Sequence, residues 1–328
     1  MYKKILIIFL FIMILICCNC SNEVDPNYLP SFKGINVDEN TIFLTNLKDD
    51  KNHIVYAVDT SNDKIIYKYE FRNLIIYDMD YNYSFDTNPY IVLLNGKAIK
   101  LNTKTGNCEE FKLDFTPEKI TIVKNKLWIT PLFAGFENSP KDYFVYNTSI
   151  NKVEYITLPE GVFNGRWAEI NNNCYFVLFM DTTNSKIYNY SNNTIIGKNL
   201  FNTDYVLYRL NGNYLQATHS VSYLSDIYYI NSFEPLDGKF LFNNRNLLNI
   251  DVFESGDYAY FLENNGPPEL TITKRDKTED YKQIKQINFN DSGNYFTYCK
   301  NGYIWCVSED NDGAYKVNMD DLSYEIIN

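Results

Sequence analysis

The sequence predicts an all-β fold made of repeated four-stranded sheets, on three observations. Short runs of Ile, Val, Tyr, Phe and Thr, four to eight residues long, are broken throughout by Asn, Asp, Gly, Ser or Pro. No stretch after residue 40 shows helical periodicity. One pattern returns at spacings of 42 to 45 residues: a strand, an Asp or Asn, a tight polar turn, and another strand.

The strand runs include TIFLTNL from residue 41, HIVYAV from 53, KIIYKYEF from 64, CYFVLFM from 174 and GYIWCV from 302. Regular short strands with turn signals leave a sandwich, a barrel or a propeller. The repeat decides among them. Its clear copies are YAVDTSNDKIIY from 56, IKLNTKTGNCEEF from 99, FVYNTSINKVEYI from 144 and YKVNMDDLSYEII from 315. Weaker copies are KIYNYSNNTII from 186, DIYYINSFEPLDGKFLF from 226 and ELTITKRDKTEDYKQI from 269. Aligned on the residue that opens the turn, the copies fall at Asp59, Asn102, Asn147, Asn189, Asn231, Lys274 and Asn318, with differences of 43, 45, 42, 42, 43 and 44. The preceding residue is Val58, Leu101, Tyr146, Tyr188, Ile230, Thr273 or Val317, apolar or aromatic in six of the seven.

A period of about 40 to 45 residues with four strands per unit marks a propeller blade. One four-stranded sheet cannot bury both faces alone; radial stacking covers them, and closing the ring removes exposed sheet edges. Seven copies therefore predict a seven-bladed β-propeller over residues 32–328, with six or eight blades as alternatives. The strand before each turn opener is the third of its blade and the strand after it the fourth, at the outer rim. The first two strands lie upstream, as GRWAEI then CYFVLFM in the fourth unit and NYFTYC then GYIWCV in the seventh.

The turn that opens with Asp or Asn and continues Thr-x-Ser/Thr-x-Lys or Gly resembles the third-to-fourth-strand turn of the quinoprotein-like, WD40-like and YVTN families of β-propeller. The resemblance covers residues 32–328 at the level of the superfamily and implies the fold alone. The WD and GH dipeptides and the paired glycines of kelch repeats are missing. No cofactor is implied.

Upstream of the repeat, residues 1–17 have the layout of a secretion leader: Lys3 and Lys4, an apolar run from Ile5 to Ile16, then cysteines. Twelve apolar residues rise only about 18 Å as a helix, short of the roughly 30 Å hydrocarbon core that a spanning helix crosses. The end of the run, Leu15-Ile16-Cys17-Cys18, resembles the lipobox of bacterial lipoproteins. That resemblance implies a diacylglyceryl group on Cys18, which alone has leucine three positions upstream; Cys20 and Cys17 are the alternatives. The other reading is cleavage by ordinary signal peptidase, for which the leader lacks a small-x-small site. Residues 18–31, with Asp25, Pro26 and Pro30, read as a flexible tether. The expectation is an exported, membrane-anchored protein of the cell envelope, periplasmic or at the surface, touching the membrane only through its lipid.

The chain carries a formal charge of −11, and a leader bearing Lys3 and Lys4 without an acid leaves −13 on removal. Such a surface repels polyanions, which argues against nucleic acid as a partner. Beyond the leader and the tether stand Cys108, Cys174, Cys299 and Cys306. The last two flank Asn301-Gly302, a hairpin signal. In that register Cys299 faces Ile304 and Cys306 faces Thr297, so the thiols are diagonal neighbours and read as small buried hydrophobes.

Candidate binding positions sit on the face shared by fourth-to-first and second-to-third loops, where length varies cheaply. Phe133 and Phe136 lie in the loop from Pro131 to Asn138, and Asn264 to Pro268 forms another such loop. Arg166 and Trp167 open the innermost strand of the fourth unit, and His219 ends a second strand in the fifth. Each also has a structural account: the phenylalanines tuck a loop onto its blade, Trp167 packs between blades, Arg166 pairs with a carboxylate, and His219 is an ordinary polar residue. The alternating series Asp78, Asp80, Asn82, Ser84 and Asp86 resembles a calcium loop only superficially, because Tyr83 and Pro89 occupy the places of its Gly and Glu. Period-two spacing makes that segment a strand, with Tyr77, Met79, Tyr81, Tyr83 and Phe85 on the other face. No metal site is expected.

No GxSxG, HExxH or phosphate-cradling glycine loop is present, and His53 and His219 are the two histidines. The leading expectation is a non-catalytic binding or scaffolding lipoprotein with a protein or glycan partner. The alternative is a glycan-active lyase or hydrolase, with carboxylates and Arg166 at the channel mouth.

Overall fold

Asp and Asn at the end of a strand accept hydrogen bonds from the backbone two and three residues on, which closes a turn without help from elsewhere. A computed structural model shows this device repeated along the chain. It describes residues 34–35, 37–49, 51–123, 126–131, 142–147, 152–157, 165–170, 173–178, 187–196, 205–219, 224–233, 236–245, 249–264, 269–290, 297–308 and 313–328. Among these residues every regular element is a β-strand, and the strands pair antiparallel into seven sheets.

The first sheet holds β1 (Thr41–Asp49), β2 (Asn52–Asp59) and β3 (Lys64–Phe71), and the second β4 (Ile76–Asp80), β5 (Tyr90–Leu93), β6 (Ala98–Leu101) and β7 (Cys108–Glu110). The third contains β8 (Pro117–Val123), β9 (Lys126–Pro131), β10 (Asp142–Asn147) and β11 (Lys152–Thr157). The fourth contains β12 (Gly165–Ile170), β13 (Asn173–Leu178), β14 (Ile187–Asn189) and β15 (Thr194–Ile196). The fifth is β16 (Tyr205–Asn211), β17 (Tyr214–His219), β18 (Leu224–Phe233) and β19 (Leu236–Arg245). The sixth is β20 (Asn249–Ser255), β21 (Tyr258–Asn264), β22 (Glu269–Asp276) and β23 (Lys282–Asn290). The seventh is β24 (Thr297–Lys300), β25 (Tyr303–Ser308), β26 (Gly313–Asn318) and β27 (Tyr324–Ile327). Each is a meander, with strands paired in chain order.

The turn before the last strand has one geometry in five sheets. The opener's Oδ1 accepts from the N–H two residues on: Asp59 from Ser61 at 2.8 Å, Asn102 from Lys104 at 3.1 Å, Asn189 from Ser191 at 2.9 Å, Asp276 from Thr278 at 2.8 Å and Asn318 from Asp320 at 2.7 Å. Four residues past each opener the backbone is left-handed, at Asp63, Gly106, Asn193, Asp280 and Leu322. Asp, Gly and Asn adopt that conformation readily; Leu322 does not, and holds it with its side chain buried against the sixth sheet.

This geometry corrects two alignments. The opener in the sixth unit is Asp276 rather than Lys274, because Asp276 makes the turn bonds while Lys274 lies two residues earlier, inside β22. In the fifth unit Asn231 sits within β18, at a bulge between Ile230 and Ser232. The first unit also departs from expectation: among the described residues only β1 precedes β2.

Aromatic and branched residues cover the sheets from both sides. Tyr90, Val92 and Ala98 meet Ile120, Leu127 and Ile129 between the second and third sheets. Tyr260, Leu262 and Ile272 meet Ile304, Cys306 and Val317 between the sixth and seventh. Trp305, Val307 and Ala314 of the seventh meet Ile42, Leu44, Tyr56 and Val58 of the first. Burying each large side chain stabilises by about 1.5–3 kcal/mol. In these contacts β1 and β2 take the places that β25 and β26 take against the sixth sheet. They therefore stand in the second and third positions of their unit, and Asp59 opens a third-to-fourth turn as the sequence requires.

Two residues before three of the openers stands a lysine, Lys100, Lys274 or Lys316, directly opposite Tyr90, Tyr260 or Trp305 on the second strand. The Nζ atoms lie 5.7, 5.6 and 5.8 Å from those ring centroids, within the range of cation–π attraction. Lys274 donates to Met319 O at 3.0 Å on the next sheet's turn. The cysteines follow the expected register: Cys299 is opposite Ile304 and Cys306 opposite Thr297. All four described cysteines are free thiols.

Candidate functional site

In a four-stranded meander the first strand begins, and the second ends, at the same end of the sheet. The fourth-to-first links and second-to-third loops therefore share one face, and the Asp/Asn turns close the other.

Between the second and third sheets, first strand packs against first strand, β4 on β8. A first strand has a free edge whose N–H groups need acceptors. Asp78 Oδ2 accepts from Ile120 N at 2.8 Å and Asp80 Oδ2 from Ile122 N at 2.6 Å. Burial pushes the Asp80 carboxyl up to about 6, and the charge of Asp78 adds to the rise, while the N–H groups of Ile122 and Tyr81 oppose it. Asp251 of β20 bonds the next first strand through a side chain instead, accepting from Thr297 Oγ1 of β24 at 3.2 Å.

The strand expected to run on to Asp86 ends at Asp80. Asn82 then accepts from Ser84 N at 3.0 Å, and its carbonyl takes the N–H of Phe85. Asp86 bonds Tyr90 Oη at 2.7 Å and pairs with Lys100 at 2.6 Å. The side-chain bonds of Asn82 turn the chain before period two can continue.

On the loop-rich face, His53 at the start of β2 is buried, and its Nδ1 accepts from Ile76 N at 3.2 Å, fixing the start of β4. Desolvation pushes His53 down to about 4. Just beyond, the pairing of β4 with β5 shifts register between Ile76 and Asp78, and that of β8 with β9 between Pro117 and Lys119. These are bulges, and Tyr77 and Glu118 are their extra residues. A bulge re-aims a side chain. Met79 and Tyr81 are accordingly buried, whereas Tyr77 is 47% exposed. Burial raises the Tyr77 phenol above its ordinary value, and the carboxylates of Glu118 and then Asp78 raise it further.

Leu94, 59% exposed, opens the adjoining second-to-third loop. Gly96 in that loop has φ +80°, and a Cβ there would meet Thr116 Cγ2 at 3.1 Å, so the loop lies tight against the approach to β8. Two polar atoms at this junction are buried without a hydrogen-bond partner: Asn95 Nδ2 and Glu118 Oε2. Among the described residues no group of three or more His, Cys, Asp or Glu is placed to hold a metal ion.

Of the positions singled out in the sequence, Cys17, Cys18, Cys20, Phe133 and Phe136 lie outside the described residues. Arg166 and Trp167 stand on β12, the first strand of its sheet, opposite Val177 and Phe176. His219 ends β17 opposite Tyr205, at the loop-rich end of the fifth sheet. The rim residues Tyr77, Asn95 and Glu118 were missed because a bulge breaks alternation. Its signal is the spacing of three between Ile76 and Met79.

No protein-family model matches the sequence. No curated protein matches it. Solved structures do match the fold. The β-propeller domain of Cps50 (Swd1) from Myceliophteria thermophila is 8% identical with a TM-score of 0.53, over 84% of this chain and 97% of that one. Apo AztD from Citrobacter koseri is 7% identical with a TM-score of 0.57, over 88% and 94%. KlAtg21, in its complex with the coiled-coil of AgAtg16, is 11% identical with a TM-score of 0.58, over 92% and 100%. At such identities the likeness speaks for architecture alone, and the architecture is that of the β-propellers.

Proposed function

We propose that the chain is a closed, seven-bladed propeller, exported and lipidated at Cys18, which holds a protein or glycan partner on its loop-rich face without catalysis. Support for closure comes from the last sheet packed on the first through Trp305 and Ile42, and from Lys316 reaching Asp63. Support for the anchor is the leader sequence.

The observation that carries the binding reading is the asymmetry of the two faces. The turn face satisfies its own backbone through Asp and Asn, while the rim at the second and third sheets presents Tyr77 and Leu94 to solvent. Covered by a partner, aromatic and aliphatic groups of this kind anchor a contact. A glycosidase needs two carboxylates about 5–10 Å apart and free to react. The paired acids of β4 instead accept backbone N–H groups, which favours binding over hydrolysis. A propeller of similar fold has been seen holding a coiled-coil, which is compatible with a protein partner.

A photo-crosslinking residue at Leu94 tests the reading in cells, with Ser61 on the turn face as control. The expected result is a discrete adduct from position 94 and none from 61; equal labelling from both contradicts it. For the anchor, Cys18→Ala abolishes labelling by a fatty-acid analogue, and undiminished labelling moves the anchor to Cys20 or Cys17.

A further inference from the structure

Two bulges at matching places in neighbouring sheets put Tyr77 and Glu118 at one junction of the rim, with Asn95 on the loop pressed against it. We infer that this junction is a carbohydrate subsite, in which the Tyr77 ring stacks on a sugar face while Glu118 and Asn95 take its hydroxyls. The inference rests on the loop face being the binding face and names what it binds.

Three observations carry it. A sugar ring has an apolar face of C–H groups, and the exposed Tyr77 ring offers a matching apolar platform with a polar tip. Neighbouring hydroxyls each act as donor and acceptor; a carboxylate oxygen and an amide NH2 are the complementary acceptor and donor. Both are already committed to this orientation. Asn95 Oδ1 accepts from Lys97 N at 3.3 Å, which leaves the Nδ2 group turned inward without an acceptor. Glu118 is only 14% exposed, and its Oε1 stands 3.8 Å from Lys119 Nζ, which leaves Oε2 without a donor. Unsatisfied buried polar atoms destabilise a fold, so a pair of opposite type near one junction calls for a functional account. A ligand hydroxyl that reaches either atom supplies the partner it lacks.

The bulges add the mechanical part. In unbroken alternation Tyr77 would share the buried face of Met79 and Tyr81. The extra residue in β4 turns it outward, and the extra residue in β8 does the same for the backbone at Glu118. Both side chains thus stand on strands held by the Asp78 and Asp80 bonds, a rigid support for a shallow site.

The test uses the exported chain without its leader and a panel of tetrasaccharides of glucose, galactose, mannose and N-acetylglucosamine, read by saturation-transfer NMR and calorimetry. Expected are saturation transfer to at least one tetrasaccharide, a loss of about tenfold or more in affinity for Tyr77→Ala, retention in Tyr77→Phe, and a comparable loss in Glu118→Gln or Asn95→Ala. Urea midpoints of the variants within error of the parent show that folding is intact. No transfer to any tetrasaccharide at millimolar concentration overturns the subsite, as does binding that Tyr77→Ala leaves unchanged. Should sugar binding fail while the Leu94 crosslink to a partner persists, the loop face stands and the carbohydrate assignment falls. Should both fail, the binding-face reading falls with it.

Discussion

Lys316 Nζ lies 2.5 Å from Asp63 Oδ2, joining the third strand of the seventh sheet to the turn after β2 in the first, 253 residues earlier in the chain. The lysine side chain is 8% exposed, lies 4.2 Å from the Tyr303 ring centroid, and also reaches Glu325 at 3.2 Å. Lys274 makes the equivalent reach from the sixth sheet to the turn of the seventh. The same lysine device therefore links successive sheets and links the last sheet to the first.

Lys316→Met keeps most of the buried stem and removes the charge. It is expected to lower stability by about 1–2 kcal/mol, because the group is mostly buried but its partners are partly in water. Lys282→Met, at an exposed pair with Glu279, is expected to leave stability nearly unchanged. Urea unfolding of the two variants gives the comparison; equal effects contradict a special role for Lys316.

The turn geometry makes Asp276 the opener of its unit, whereas Asn231 stands inside β18. Asp276→Ala loses bonds to Thr278 N and Oγ1 at 2.8 and 2.7 Å and is expected to lower the thermal midpoint. Asn231→Ala is expected to lower it less, because Asn231 lies within the β18 ladder rather than opening a turn. Thermal midpoints in the reverse order would restore the original alignment.

That prediction also shows what the sequence made legible. Strand runs, the period of 42 to 45 residues and the openers Asp59, Asn102, Asn189 and Asn318 were readable because Asp and Asn close turns through their own side chains, a local effect. The sixth opener was misplaced by aligning on Lys274, although Lys-x-Asp/Asn recurs at Lys100-Leu101-Asn102, Lys274-Arg275-Asp276 and Lys316-Val317-Asn318. Its meaning depends on an aromatic partner on another strand, which spacing along one strand does not display. The segment from Tyr77 to Asp86 was read as one strand because alternation continues past the point where Asn82 turns the chain. Tyr77, Asn95 and Glu118 were not found, since bulges and loop-to-strand contacts are set by neighbouring sheets.

Acid titration provides a third prediction, because His53 and Asp80 act in opposite directions. Burial holds His53 down from 6.5 to about 4, so as pH falls through that window the unfolded chain takes the proton first and stability is lost. Asp80 is raised from 3.8 to about 6, so between pH 6 and 3.8 the folded chain takes the proton first and stability is gained. Each effect is bounded at about 3 kcal/mol, and the two largely offset. Asp80→Asn is expected to lose stability more steeply than the parent between pH 6.5 and 4, and His53→Gln to lose less or gain. Parallel pH profiles for all three proteins would contradict the assignment.

Thiol chemistry gives a fourth. Desolvation pushes Cys108 up to about 12 and raises Cys299 as well, while Cys174 and Cys306 are buried. The thiolate is the reactive form. A chain starting at Ser21, which leaves out Cys17, Cys18 and Cys20, is expected when folded to react with a thiol reagent such as dithionitrobenzoate far more slowly than a free thiol at pH 8, and to titrate four thiols from residues 108, 174, 299 and 306 once unfolded. Rapid reaction of any of the four in the folded state would contradict their burial.

Closure of the ring is tested most directly by a distance between spin labels. Ile66, Gln283 and Glu325 each stand seven residues after a turn opener, on the exposed last strands of the first, sixth and seventh sheets. With the native cysteines replaced by alanine, labels at 283 and 325 measure the spacing of two successive sheets, and labels at 325 and 66 measure the gap between last and first. A closed ring predicts the same narrow, short distance for both pairs by double electron–electron resonance. A long or broad distribution for 325 and 66, beside a short one for 283 and 325, would contradict closure.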